Sequence, residues 1–61
     1  MSFELDTAQR YRHRAEQLRT IAERECRGLI QDKLLKIAAD YDRMASDLET
    51  IDASNQSVRR N

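Results

Sequence analysis

The residues of this chain with most scope for chemistry are a run of cations, Arg10, Arg12, His13 and Arg14. Arg10 and Arg14 are four apart and share one helix face, where two guanidinium groups suit successive phosphates of RNA or DNA. A basic run on a helix is more often a solvated face paired with acids such as Glu16, so nucleic-acid contact through Arg10 and Arg14 is the alternative reading. His13 with Glu16 or Gln17 begins a metal site without completing one. A structural zinc ion takes four ligands, mostly Cys or His, and the chain has one of each. Cys26 stands near Arg24 and Arg27, which favour a thiolate and hence a redox-sensing thiol or an intermolecular disulfide. It also ends an apolar stripe, which favours a small buried hydrophobe. Tyr11 and Tyr41 lie mid-stripe, where ring packing with the hydroxyl at the boundary is expected. Asp40, Asp42 and Asp47 fall on an outer, solvated face. Glycine-rich phosphate loops, paired cysteines and nucleophile–base pairs are absent. No catalytic, cofactor or metal residues are expected, and the chain does not read as an enzyme.

The elements that carry these residues are helices. In the first half the apolar positions are Ala8, Tyr11, Ala15, Leu18, Ala22 and Cys26; in the second they are Ile30, Leu34, Ile37, Tyr41, Met44, Leu48 and Ile51. Steps of three and four are the signature of an amphipathic seam. The two halves do not share one register: from Leu18 the apolar positions run 22, 26, 30, 34, and Gly28 sits inside the fault. Glycine is the favoured residue just past a helix end. The pattern predicts helix 1 over about 6–26, a turn near 25–29 and helix 2 over about 30–53, each helix roughly 20 residues and about 30 Å long. Asp6 with Gln9 resembles a capping box; Ser2 offers an earlier start that brings Phe3 onto the helix. Residues 54–61, SNQSVRRN, read as a polar flexible tail beyond a hairpin domain of residues 1–53.

Charge favours pairing of the halves. Residues 8–27 carry Arg10, Arg12, Arg14, Arg19, Arg24 and Arg27 against Glu16, Glu23 and Glu25, whereas residues 30–53 carry Asp32, Asp40, Asp42, Asp47, Glu49 and Asp52 against Lys33, Lys36 and Arg43. The main alternative is one continuous helix in a long parallel coiled coil, with a stutter across Ala22–Leu34.

Size argues against a lone hairpin. Sixty-one residues with one Cys have neither an internal disulfide nor a structural metal, and small domains usually need such a staple or a partner chain. Leu35, Ala38 and Ala45 widen the helix 2 stripe beyond one seam, as Ile21 does beside Leu18 and Ala22. A dimer of hairpins forming a four-helix bundle would bury it. The expected self-association and core residues are Tyr11, Ala15, Leu18, Ala22, Ile30, Leu34, Leu35, Ile37, Ala38, Tyr41, Met44, Ala45, Leu48 and Ile51, the alanines permitting close approach. The chain is 36% charged with zero formal net charge, which argues against a dedicated nucleic-acid binder. Its apolar runs are far below a membrane span, its start, MSFELD, is not a signal peptide, and an unpaired Cys26 fits a reduced, cytoplasmic setting.

The segments YRHRAEQLRTIAE (Tyr11–Glu23) and LLKIAADYDRMASDLE (Leu34–Glu49) resemble a family of short, uncharacterised alphaproteobacterial proteins whose members carry Y-R-x-R-A-E-x-L-R-x-I-A, a short turn, then L-L-x-I-A-x-D-Y-x-R-M-A. The family's turn often contains Asp-Pro, where this chain has Arg27-Gly28. The resemblance implies a helical hairpin and brings with it no activity, substrate, cofactor or functional residues. The architecture is also similar to the Rop-type RNA-binding hairpin dimers, a likeness of fold that carries no function. The reading is therefore an all-α antiparallel hairpin, homodimeric, without a cofactor, acting as a non-catalytic interaction module that adapts or regulates a protein partner.

Overall fold

The computed structural model describes residues 2–59, with side chains as far as Gln56. Two helices, α1 (Phe3–Glu25) and α2 (Gly28–Arg59), lie against each other in an antiparallel hairpin, with no strand among the described residues. The chain reverses at Cys26 and Arg27, so the single continuous helix is not what forms.

Helix α1 begins earlier than residue 6 because Ser2, not Asp6, caps it. The Ser2 backbone is extended and its Oγ accepts a hydrogen bond from the Leu5 amide at 3.2 Å. This start places Glu4 and Asp6 in the first turn and leaves Arg24 in the last, both favourable to the helix dipole. Asp6, free of capping duty, pairs with Arg10 one turn on at 3.3 Å.

At the other end Cys26 is extended, with φ −123° and ψ 152°. Gly28 has φ +63°, the left-handed region that a side chain disfavours by roughly 1–2 kcal/mol. This is the physical content of the fault in the apolar register: the lone glycine supplies the one backbone conformation that reversal in two residues demands. Gln31 Nε2 then donates to the Ala22 carbonyl at 3.0 Å, satisfying one of the four acceptors that a helix end leaves over. Cys26 is half-buried in this link and not within helix 1.

Helix α2 is longer than expected, 32 residues against 23 for α1. It runs to Arg59, so residues 54–59 of the expected tail continue the helix; residues 60 and 61 lie outside the described residues. Asp52 and, within this extension, Asn55 contact the start of α1. Asp52 is 8% exposed; it accepts from Ser2 Oγ and, at 3.0 Å, from Gln56 Nε2, while Asn55 Nδ2 donates to Glu4 at 3.2 Å. The hairpin measures 51 × 17 × 10 Å over its Cα atoms.

The core between the helices consists of alanine. Ala8, Ala15 and Ala22 in α1 and Ala38 and Ala45 in α2 are 0–1% exposed, and among the described residues no larger side chain is fully buried. They recur every seven residues, and Asp52 continues the α2 line by the same step. A seam of methyl groups lets two helix backbones approach closely, and only small side chains fit the space that remains.

Candidate interaction surface

The alanine seam divides the hairpin into two broad faces of opposite character. With 3.6 residues per turn, each position advances about 100° around a helix. The residues four after the α1 and α2 alanines are Arg12, Arg19, Asp42 and Glu49, about 40° to one side. The residues four before them include Tyr11, Leu18, Leu34 and Tyr41, about 40° to the other.

The first side is closed by ion pairs. Arg12 reaches Glu49 at 2.5 Å and Asp42 at 3.8 Å. Arg19 joins Asp42 at 2.7 Å and Glu16 at 2.8 Å. Both guanidinium groups are held above the ordinary arginine range: Arg12 by its hydrogen bond and charge contact with Glu49, Arg19 by its hydrogen bonds to Glu16 and Asp42. Their positive charge persists at every pH at which the hairpin is handled. Asp42 is thus a bridge between helices, not the outer-face acid expected. Asp40 pairs with Arg43 at 3.5 Å, and Asp47 is exposed.

The second side is apolar. The Tyr11 and Tyr41 rings pack with centroids 5.6 Å apart, and Leu18, Leu34 and Leu48 are half-buried beside them. Beyond this row in α2 stands another heptad line, Ile30, Ile37, Met44 and Ile51, each one residue before a seam position. These are 63%, 44%, 40% and 48% exposed. In α1 the corresponding line holds Arg14 and Ile21, and Ile21 is 41% exposed. Of the fourteen residues expected in the core or interface, the hairpin buries only Ala15, Ala22, Ala38 and Ala45. Tyr11, Leu18, Leu34, Tyr41 and Leu48 are half covered, and Ile30, Ile37, Met44 and Ile51 lie open on one face. Leu35 is turned to the ion-pair side, about 60° from the seam, and borders on exposed.

Arg10 and Arg14 are exposed, Arg10 with Asp6 as partner and Arg14 within 3.4 Å of Gln17 Oε1. Arg14, exposed His13 and Ile21 border an open depression along α1. No three His, Cys, Asp or Glu among the described residues are grouped to hold a metal ion, and no described helix is long and apolar enough to cross a membrane. The seven-residue step from Ala38 through Ala45 marks Asp52 as a seam position, but nothing in the sequence joins it to Ser2.

The sequence matches no protein-family model, and searches of curated proteins and of solved structures return no match either.

Proposed function

We propose that this chain is a small, non-catalytic, self-associating helical module whose apolar broad face is covered by a second copy, completing a four-helix bundle that serves as an adaptor or regulator of another protein. The observation that carries the reading is a mismatch of size: among the described residues the buried apolar side chains are all alanines, whereas Ile21, Ile30, Ile37, Met44 and Ile51 are 40–63% exposed. Fully burying an Ile or Met side chain contributes about 1.5–3 kcal/mol, and roughly half of that is still to be gained at each of Ile30, Ile37, Met44 and Ile51. A reduced, cytoplasmic setting is part of the proposal and accords with the single thiol.

The test is sedimentation equilibrium of the chain at micromolar concentration, with Ile37→Asp/Met44→Asp as control. The expected result is a dimer for the unaltered chain and a monomer for the double variant. A folded monomer of the unaltered chain at tens of micromolar ends the proposal. The reading of Arg10 and Arg14 as a nucleic-acid contact gains nothing specific from the geometry, in a chain whose formal net charge is zero.

A further inference from the structure

We infer that the second copy sits with its turn at the same end as the first, so that α1 of one hairpin lies over α2 of the other; this rests on the self-association proposed above. Two stacked hairpins related by a two-fold axis have two arrangements. With the axis along the bundle, the turns lie together and each α1 covers the other copy's α2. With the axis across the bundle, the turns lie at opposite ends, α1 covers α1 and α2 covers α2.

The charges that border the apolar face choose between them. Counted over their observed extents the helices are less polarised than the sequence suggested: α1 gains Glu4 and Asp6 and loses Arg27 to the link. The border is another matter. Arg10 stands two residues after Ala8, as Asp40 and Asp47 stand two residues after Ala38 and Ala45. All three lie about 160° from the seam, outward and tilted to the apolar side; Arg10 and Asp40 also have exposed partners on their own helices, Asp6 and Arg43. Arg14, one residue before Ala15, projects onto that side. The rim of α1 at this level is basic and that of α2 is acidic.

Within one hairpin the same level is marked by Tyr11 against Tyr41 and by Arg12 between Asp42 and Glu49. A copy rotated about the bundle axis keeps that level. It therefore brings Asp40 and Asp47 opposite Arg10 and Arg14, and does so twice by symmetry. The crossed arrangement sets the arginines against arginines and the aspartates against aspartates. Rim charges of this kind select register and reject wrong pairings more than they add affinity.

Cys26 reports the arrangement directly, being the only cysteine and lying in the link. A nitroxide on Cys26 of the full chain, read by pulsed dipolar spectroscopy, gives one distance per dimer. Neighbouring helix axes in a bundle are about 8–10 Å apart, so turns at one end place the two labels within about 25 Å, whereas turns at opposite ends separate them by about the length of α1, roughly 35 Å. Sedimentation of the labelled chain comes first. A monomer overturns self-association itself, whereas a dimer with the long distance leaves self-association standing and overturns this arrangement. Arg10→Glu/Arg14→Glu should weaken dimerisation about tenfold or more, and Asp40→Arg/Asp47→Arg added to it should restore the affinity. Circular dichroism checks that each variant stays helical. A folded charge-reversed variant that dimerises as tightly as the unaltered chain also overturns the inference.

Discussion

Asp52 is a carboxylate in a position that the heptad reserves for alanine, and Ser2 explains it. The Ser2 hydroxyl has one proton to give and lone pairs to accept with. It accepts from the Leu5 amide as the cap of α1, and its proton is placed between Asp52 across the hairpin and Glu4 Oε2 at 3.0 Å on its own helix. One side chain thus starts a helix and fastens it to the far end of the other. Ser2→Ala removes both roles: an N-cap typically contributes about 1 kcal/mol, and Asp52 would keep only Gln56 as a partner. We expect a loss of about 1–2 kcal/mol in urea denaturation; a loss no larger than that of an exposed Ser→Ala elsewhere on α2 would argue against the dual role. Gly28 is the other residue whose identity the backbone dictates. A Cβ there meets nothing within 4 Å, so the cost of Gly28→Ala is conformational alone, about 1–2 kcal/mol. Gly28→Asn should cost less, since Asn tolerates the left-handed region better, and thermal denaturation of the two variants checks the order.

At the scale of the element, each helix is defined by what it offers at every seventh residue. The alanine line decides how near the helices come, and the residues four after it decide that Arg12 and Arg19 reach Asp42 and Glu49. Exposed ion pairs contribute little singly, and their main effect here is to hold the register in which methyl meets methyl. Where alanine lines the seam, both helices are closed over it. Ala15→Leu at a position 0% exposed should destabilise the hairpin by about 1–3 kcal/mol or more through overpacking, although leucine is a good helix former. A denaturation midpoint that stays or rises would show that the helices part without penalty.

At the scale of the whole molecule, one hairpin 10 Å thick is a single layer, and a layer has no interior for large side chains. Domains are built from at least two packed layers around a shared core. The proposed dimer supplies the second layer, and its rims supply the reason for one orientation over the other. Its melting temperature should therefore rise with protein concentration, as for any fold whose stability includes association.

Helicity followed from the sequence itself, which favoured reversal near Gly28 and left one continuous helix with a stutter as the alternative. Apolar steps of three and four admit only a helix, and a register fault at a lone glycine is resolved locally, by φ at one residue. The tertiary structure decided which apolar residues are inside. Alanines and isoleucines are both apolar at helical spacing, so periodicity marks one wide stripe without dividing it. The division comes from how near two backbones pack, and that favours the smallest side chains at the seam and turns the largest to the open face. The same distance effect set the helix ends: Ser2 and Asp52, fifty residues apart in sequence, meet only because the hairpin closes, and no local pattern could have paired them.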